Sequence, residues 1–232
     1  DALYLSRQID GSEDIARRLA KELREIFNPI RVLDCGCSYG WLVNSLNEMG
    51  IEAYGLDVNS ASIEFGKKRY PSYAERLIEI DMGTTFFPFP DRFFDLVVAR
   101  EVLEHFDDDH LFSFISELTR VAKSGIYITT PIVHSPQTIK TEEDFSAWHR
   151  WLYEQNQLET EDALALIDRV PEIESLEPIT HNIEHPNTHS RKYWLSLFQM
   201  LGFTFFLPDN KEYRLPMRYD GHSLYGAFWL RR

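Results

Sequence analysis

One stretch of the sequence decides the fold: Val32-Leu33-Asp34-Cys35-Gly36-Cys37-Ser38-Tyr39-Gly40. Its first part is a short apolar run that predicts a buried strand over 31–35, and a helix is predicted to begin at Trp41. The turn between them contains Gly36 and Gly40, which can take positive φ and let the backbone approach a ligand closely. This order of strand, glycine turn and helix is typical of nucleoside-binding α/β domains.

Further strands and helices alternate along the chain around this stretch. The predicted strands cover 52–56, 76–80, 93–99, 126–130, 203–207 and 224–230, and the predicted helices cover 11–27, 41–49, 60–70, 107–122 and 190–201. Ser12 and Ser60 are predicted N-caps, Gly125 is expected to end the unit before the fifth strand, and Pro131 is expected to end that strand. The alternation predicts parallel βαβ units and, with right-handed crossovers, a doubly wound α/β domain.

Composition and charge limit the classes of function. The 232 residues fit one domain, 1–232, and 24 basic against 37 acidic residues give a formal net charge of −13. This charge disfavours nucleic acids and anionic membranes as partners. Cys35 and Cys37 lie too close together for an ordinary disulfide and are too few for a zinc site, which predicts a reduced, cytoplasmic compartment. Because the sequence begins with Asp1, we expect a processed chain or a domain of a longer protein.

Residues 132–190 interrupt the alternation of strands and helices. Within them, residues 142–177 contain eleven Asp or Glu and two Arg, so this part has a net charge of −9. We expect residues 132–190 to be an insertion that caps the sheet and binds the acceptor. Residues 1–29 are predicted to form an N-terminal helical segment.

Three acidic residues follow three successive predicted strands. Asp34, Asp57 and Asp81 lie at the carboxyl ends of these strands, where open α/β sheets bind ligands. Asp34 would repel a pyrophosphate but suits an amino group, Asp57 suits ribose hydroxyls, and Asp81 suits an adenine amino group. A ligand with ribose, adenine and a positive charge but no phosphate fits this set, and S-adenosylmethionine is such a ligand. The alternative is that all three are turn residues and helix caps.

These motifs resemble those of the class I S-adenosylmethionine-dependent methyltransferases. The resemblance is carried by residues 32–40, 55–59, 81–83 and 89–105, and it extends in outline over 190–232. It implies a mostly parallel, seven-stranded sheet whose last strand is antiparallel, with S-adenosylmethionine as the cofactor. The cofactor-binding residues expected on this basis are Asp34, Gly36, Cys37, Gly40, Asp57, Val58, Asp81, Met82 and Arg100. Ser38 departs from the pattern, since many members of the family have glycine there.

A run of ionisable residues, Glu101-Val102-Leu103-Glu104-His105, follows the predicted fourth strand. His105 is the candidate general base, because the unperturbed pKa of histidine lies near neutrality. On a helix, Glu101, Glu104 and His105 would share one face and could bind a divalent metal, as a similar motif does in the metal-dependent small-RNA 2′-O-methyltransferases. The favoured interpretation needs no metal and treats the run as a solvated helix start with His105 lining the pocket.

A second group of histidines precedes the last predicted helix. His181, His185 and His189 follow one another at intervals of four residues, and Pro186 argues against a continuous helix through them. The segment resembles a stretch near the acceptor mouth of small-molecule and sugar methyltransferases, so His185 is a second candidate catalytic residue. A polar loop with capping residues is an equally good interpretation.

The favoured function is S-adenosylmethionine-dependent methyl transfer to a small polar acceptor, most of all O-methylation of a sugar or other metabolite. The histidines favour a hydroxyl acceptor, whereas the acidic charge of 142–177 would tolerate a cationic amine and keeps N-methylation open. Metal-dependent 2′-O-methylation of RNA through Glu101, Glu104 and His105 is a further alternative, which the scarcity of basic residues disfavours. A non-enzymatic module that binds a partner is the remaining hypothesis, and the retention of all three acids argues against it.

Overall fold

The computed structural model describes residues 2–133, 191–206, 217–219 and 224–232. Almost all of the predicted cap over 132–190 therefore lies outside the described residues. The chain divides into two compact units, Asp1–Arg100 with Asp108–Tyr127 and Glu101–Asp107 with Ile128–Arg232. None of the helices in the described ranges has both the length and the apolar character needed to cross a membrane.

The first unit is a parallel sheet with helices. Its helices are α1 (Ala2–Phe27), α2 (Trp41–Glu48), α3 (Ser60–Arg69) and α4 (Asp108–Val121), and its strands are β1 (Arg31–Cys35), β2 (Glu52–Asp57), β3 (Leu77–Glu79), β4 (Phe94–Arg100) and the first part of β5 (Ala122–Val133). The strand order is β3-β2-β1-β4-β5. β1 pairs in parallel with β2 and β4, and β2 pairs in parallel with β3. Val32 and Leu33 are fully buried, because a central strand covered on both faces needs apolar residues in succession.

The second unit contains the end of the same strand β5 together with the last elements of the chain. These are helix α5 (Arg191–Met200) and strands β6 (Thr204–Phe205), β7 (Met217–Tyr219) and β8 (Leu224–Arg231). The strand order is β5-β8-β6, and β8 runs antiparallel to both β6 and β7. Five large aromatic side chains among the described residues of this unit are at most 1% exposed: Trp194, Phe198, Phe203, Phe228 and Trp229. Burial of these rings supplies much of the apolar area that stabilises the unit.

The observed elements confirm the predicted α/β class with a mostly parallel sheet. β8 supplies the antiparallel strand that the resemblance implies, and α2 and β1 lie within one residue of their predicted bounds. β7 is an addition that was not predicted: it is three residues long and pairs with β8 outside the main strand order. The described residues thus contain eight strands, seven of them in the expected sheet.

Two predicted helix starts are wrong. Helix α1 begins at Ala2, so Ser12 lies inside it. A single internal glycine, here Gly11, costs only about 1 kcal/mol and does not stop a long helix. The N-cap of α3 is Asn59 and not Ser60, because the Asn59 side chain accepts a hydrogen bond from the backbone N–H of Ser62 at 3.1 Å.

The predicted bounds of the fifth strand are also wrong. β5 runs from Ala122 to Val133, so it contains both Gly125 and Pro131. Proline removes one N–H donor, but its φ is compatible with extended backbone, and a strand can continue past it where that donor is not needed.

Candidate functional site

The first unit brings three charged side chains together at the carboxyl ends of its parallel strands. Asp34 of β1 lies opposite Gly55 of β2 and Val98 of β4 in the strand register. Asp57 and Arg100 come two residues further along those strands, so their side chains leave the sheet on the same face as that of Asp34. This is the edge at which open α/β sheets bind ligands.

The glycine turn is fixed to the end of β2 by backbone hydrogen bonds. The N–H groups of Gly36 and Cys37 both donate to the carbonyl oxygen of Leu56, at 2.8 and 3.0 Å. Gly36 and Gly40 have φ of 77° and 74°, a left-handed conformation that glycine adopts without strain. At its two glycines the turn therefore places backbone without side chains at the carboxyl ends of the strands, as its sequence predicts.

Asp57 holds the same turn through its side chain. Its Oδ2 atom accepts a hydrogen bond from the N–H of Ser38 at 2.7 Å, and its Oδ1 atom accepts one from the N–H of Asn59 at 2.8 Å. Each carboxylate oxygen has a further lone pair, so Asp57 is oriented by these contacts and keeps acceptor capacity for two hydroxyl groups. Ser38 has φ of 48°, which explains why glycine suits this position.

Asp34 is a buried carboxyl group with an altered ionisation. Asp34 as a residue is only 5% exposed to solvent. Burial raises the pKa of Asp34 to about 7; the guanidinium of Arg100 opposes this rise, and the carboxylate of Asp57 adds to it. A group that titrates near neutrality beside two other charges is typical of a ligand site.

Asp81 follows the end of β3 beside the same sheet edge. The N–H of Ile80 donates to the carbonyl oxygen of Asp57 at 2.9 Å, which ties the residue before Asp81 to the end of β2. Asp81 is exposed, and its Oδ1 atom accepts a hydrogen bond from the N–H of Gly83 at 3.0 Å. The structure therefore places Asp81 on the strand end next to Asp57, where its outer lone pairs face solvent.

The other expected cofactor contacts differ in exposure. Val58 is 63% exposed, whereas Met82 and Cys37 are 6% and 5% exposed. Burial raises the pKa of the Cys37 thiol, and a Cβ atom added at Gly55 would lie 2.6 Å from its sulfur. The side chain of Cys37 is thus a packing group, and its thiol is not available to a ligand. Gly55 was missed as a contributor to the turn, although a glycine inside a strand signals close approach.

The loop Glu101–Asp107 and the end of β5 belong to the second unit. The N–H of Glu101 donates to the carbonyl oxygen of Thr129 at 2.7 Å. Glu104 is 1% exposed, and its Oε2 atom accepts a hydrogen bond from the hydroxyl of Thr130 at 3.2 Å. Burial raises the pKa of Glu104 to about 7, and the nearby carboxylate of Glu101 adds to this rise.

This loop does not bring Glu101, Glu104 and His105 to one face. Residues Leu103–His105 form a 3-10 turn and not an α-helix, so that Glu104 is buried while Glu101 and His105 are exposed. Over the part of the chain that the structure describes, no three His, Cys, Asp or Glu side chains are arranged to hold a metal ion. His185, with His181 and His189, lies outside the described residues.

A model of one known protein family matches the part of the chain that contains this site. Residues 33–129 match the family model described as a methyltransferase domain, a range that includes the glycine turn, Asp34, Asp57 and Asp81. Over these residues the chain is similar to the S-adenosylmethionine-dependent methyltransferases.

Curated members of the methyltransferase family are similar over the same part of the chain. A probable S-adenosylmethionine-dependent methyltransferase of Mycolicibacterium smegmatis is 32% identical over 110 residues, 45% of this chain and 40% of that protein. The norajmaline N-methyltransferase of Rauvolfia serpentina is 29% identical over 128 residues, 50% of this chain and 43% of that protein. The ubiquinone biosynthesis O-methyltransferase of Rhodopseudomonas palustris is 29% identical over 108 residues, 47% of this chain and 41% of that protein. The match thus spans about two fifths of the length of these relatives.

A solved methyltransferase structure shares the fold over the full length. The S-adenosylmethionine-dependent methyltransferase of Archaeoglobus fulgidus aligns with a TM-score of 0.60 and 19% identity, and the alignment covers 100% of both chains. At this identity the likeness confirms the methyltransferase fold.

The side chains of the first unit fit the cofactor of this family. Asp57 is oriented and retains acceptor capacity for ribose hydroxyls. The carboxyl group of Asp34 and the guanidinium of Arg100 are groups of opposite charge, which suits a ligand with an amino-acid end. Val58 and Asp81 lie exposed on adjoining strand ends, where an adenine could contact them. Pyrophosphate would meet two carboxylates here, so the set suits S-adenosylmethionine better than a dinucleotide.

Proposed function

We propose that this protein binds S-adenosylmethionine and transfers its methyl group to a small polar acceptor, with O-methylation of a sugar or other metabolite as the favoured reaction. The observation that carries the proposal is the assembly of Asp34, Asp57 and Arg100 around a glycine turn at the carboxyl edge of a parallel sheet. The family match over residues 33–129 supports it.

In this reaction the residues of the first unit bind the cofactor and orient it. Asp57 accepts hydrogen bonds from the two ribose hydroxyls, and Asp81 accepts one from the adenine amino group. Asp34 pairs with the amino group, and the glycine turn gives backbone access. The cofactor supplies a methyl group that is already activated by its sulfonium, so the protein's main task is to hold the acceptor atom in line at near-attack distance.

The second unit contains the candidate proton acceptor. A hydroxyl acceptor must lose a proton as its oxygen is methylated, and a neutral imidazole can accept that proton. His105 is exposed and follows the end of β4 by five residues in the chain. His185 remains a second candidate for the same role, from its sequence context alone.

N-methylation of a small amine is the second candidate function. It is favoured by the net charge of −9 over residues 142–177, which would attract a cationic amine, and by the presence of an N-methyltransferase among the relatives. RNA methylation gains no support, because within the described residues Glu101, Glu104 and His105 do not form a ligand set. Cys35 and Cys37 are free and buried, and a cytoplasmic location stays a prediction from them.

Calorimetric titration with S-adenosylhomocysteine tests the cofactor assignment. We expect micromolar binding to the unmodified protein and an affinity roughly 10- to 100-fold lower in Asp57→Ala, since two hydrogen bonds to a charged acceptor are lost. Asp14→Ala removes a carboxylate that is 72% exposed on α1 and should bind normally. Folded protein that binds neither S-adenosylhomocysteine nor S-adenosylmethionine would contradict the proposal.

A matched pair of histidine variants tests the acceptor chemistry. His105→Gln should lower the rate on hydroxyl acceptors by about 10²-fold or more, with an unchanged affinity for S-adenosylhomocysteine. His110→Gln, an exposed histidine on α4, is the control and should keep the full rate. If the protein methylates amines and not hydroxyl compounds, and His105→Gln does not change that rate, N-methylation is the function and not O-methylation.

A further inference from the structure

We propose that Glu104 is a positioning residue. Its hydrogen bond with Thr130 fixes the rotation of the 3-10 turn Leu103–His105, and thereby holds the imidazole of His105 in the orientation that accepts a proton. This inference rests on the proposed function and deepens it. It gives a buried carboxyl group a role in the reaction that does not require contact with the cofactor or the acceptor.

The geometry of the turn links the burial of Glu104 to the exposure of His105. A 3-10 helix has three residues per turn, so consecutive side chains leave its axis about 120° apart. Leu103 and Glu104 are 0% and 1% exposed, whereas His105 is exposed. Two of the three directions are thus occupied by buried side chains, and the third belongs to the imidazole. A rotation of the turn that released Glu104 would therefore move His105 as well.

Two hydrogen bonds join the loop Glu101–Asp107 to β5. At the start of the loop, the N–H of Glu101 donates to the carbonyl oxygen of Thr129 at 2.7 Å. Within the turn, the hydroxyl of Thr130 donates to Oε2 of Glu104 at 3.2 Å. The first bond holds the loop at its beginning, whereas the second acts on the residue directly before the candidate base. Loss of the second bond therefore leaves the loop attached but removes a restraint on the rotation of the turn.

The polar pair supplies direction rather than stability. An apolar side chain of similar length would fill the same space without the cost of burying a carboxyl group. Apolar burial is non-directional, however, whereas a hydrogen bond weakens steeply as its angle departs from a straight line. The pair of Glu104 and Thr130 therefore selects one rotation of the turn, which the packing of Leu103 alone does not.

Substitutions at both ends of the bond separate positioning from stability. Glu104→Met and Thr130→Val each remove one partner, and the double variant replaces both partners by apolar groups of similar shape, which costs little stability. Glu104→Gln is the conservative variant, since its amide oxygen still accepts the hydrogen bond. Thr119→Val is the matched control: Thr119 is 6% exposed on α4, and its hydroxyl donates to the carbonyl oxygen of Ile115 at 2.8 Å.

Each variant is compared with the unmodified protein by four measurements. Denaturant unfolding gives the stability, and calorimetry gives the affinity for S-adenosylhomocysteine. NMR between pH 5.5 and 8.5 follows the imidazole resonances of His105, which are assigned with His105→Gln and need no acceptor. The fourth measurement is kcat and KM for a hydroxyl compound that the unmodified protein methylates.

The expected pattern is a loss of rate without a loss of fold. The double variant should shift or broaden the resonances of the neutral His105 imidazole, while its stability and its affinity for S-adenosylhomocysteine stay close to those of the unmodified protein. Its kcat should fall by about 10- to 100-fold with little change in KM. Thr130→Val alone should move the same resonances. Glu104→Gln should keep both the resonances and the rate, and Thr119→Val should change the stability alone.

Two results would overturn the role of Glu104. Unmoved His105 resonances in Thr130→Val and in the folded double variant would show that other contacts set the turn. An equal loss of kcat in Glu104→Gln and Glu104→Met would show that the carboxyl group itself takes part in proton transfer. By contrast, failure of the unmodified, folded protein to bind S-adenosylhomocysteine would reject the proposed function, and the NMR comparison would still decide whether Glu104 sets the orientation of His105.

Discussion

The hydroxyl of Thr130 donates a hydrogen bond to the buried carboxyl group of Glu104 across 3.2 Å. This bond links the loop Glu101–Asp107 to the end of β5 within the second unit. The backbone contact from Glu101 to Thr129 adds a second link between the same two segments. The loop that carries the candidate base His105 is therefore anchored by its buried neighbour Glu104, for which the sequence offered a metal ligand only as an alternative.

The first prediction concerns the ionisation of Glu104. Its pKa is about 7 in the folded chain against an ordinary value of 4.5, so the folded state holds its proton more tightly than the unfolded state. The fold therefore loses stability as pH rises from about 4.5 to 7, and the loss is complete above 7. We expect Glu104→Gln to be more stable than the unmodified protein at pH 8, by about 1–3 kcal/mol, and to lose this advantage at pH 5.

Denaturant unfolding at pH 5 and pH 8 measures this difference. Glu48→Gln, at an exposed position on α2, is the matched control and should show no such dependence on pH. A Glu104→Gln protein that is less stable than the original at both values would show that the charged form of Glu104 is needed by the fold.

The second prediction concerns the pH dependence of cofactor binding. An ammonium group pairs with the ionised form of Asp34, whose pKa is about 7 in the free protein. Affinity for S-adenosylhomocysteine should therefore be constant above pH 8 and fall by up to tenfold for each unit below 7, as the carboxyl group takes up a proton.

Calorimetry between pH 5.5 and 8.5 follows this change, with Asp34→Asn as the control. That variant should bind weakly at every pH in the range, since an amide does not titrate. An unmodified protein with the same affinity at pH 5.5 and 8.5 would mean that Asp34 either stays ionised throughout or makes no contact with the amino group.

The strand ends were predictable from sequence because they follow a simple pattern. Each of Asp34, Asp57 and Asp81 comes after an apolar run, and the carboxyl ends of parallel strands must share one edge. Arg100 follows from the same rule. The register of β1 between β2 and β4 then fixes which residues share a face, so most of the candidate cofactor site could be assembled from the sequence.

The loop after β4 could not be assembled in this way. Spacing of i, i+3 and i+4 brings side chains together only on an α-helix, and residues Leu103–His105 form a 3-10 turn instead. The hydrogen bond from Thr130 to Glu104 joins residues 26 apart in the chain. Nothing local in the sequence distinguishes a buried glutamate with such a partner from an exposed one.

The third prediction concerns the strained position in the glycine turn. Ser38 has φ of 48°, and its N–H donates to Asp57 at 2.7 Å. Glycine keeps that N–H and removes the strain, so Ser38→Gly should stabilise the fold by about 0.5–1 kcal/mol after the cost of a more flexible unfolded chain. Thermal or denaturant unfolding measures the change, and affinity for S-adenosylhomocysteine should be unchanged.

Ser38→Ala is the control for this substitution. Alanine removes the hydroxyl but retains the Cβ atom that causes the strain, so it should give no stabilisation. If alanine and glycine stabilise equally, the hydroxyl of Ser38 and not its backbone is the unfavourable feature.

The last prediction concerns Gly55, which the sequence motif did not single out. A Cβ atom there would lie 2.6 Å from Sγ of Cys37, 2.7 Å from its Cβ and 2.9 Å from a methyl group of Val43. These atoms belong to Cys37 and Val43, which are 5% and 1% exposed, so Gly55→Ala should destabilise the fold by about 1–3 kcal/mol. It should also weaken S-adenosylhomocysteine, because the atoms that must move belong to the glycine turn.

A double-mutant cycle with Cys37→Ala checks that the crowding is with this cysteine. Cys37→Ala removes the nearest atom, so Gly55→Ala should cost at least 0.5 kcal/mol less in that background, as contacting residues show in such cycles. Gly50→Ala is the second control: its Cβ atom would meet nothing within 4 Å, and its φ of 80° costs backbone strain alone. The loss of stability in Gly50→Ala should be the same with Cys37 and with Cys37→Ala. If the losses of stability in Gly55→Ala and Cys37→Ala are strictly additive, the two residues are not in steric contact. The expected effect of Gly55→Ala on ligand affinity would then have no structural basis.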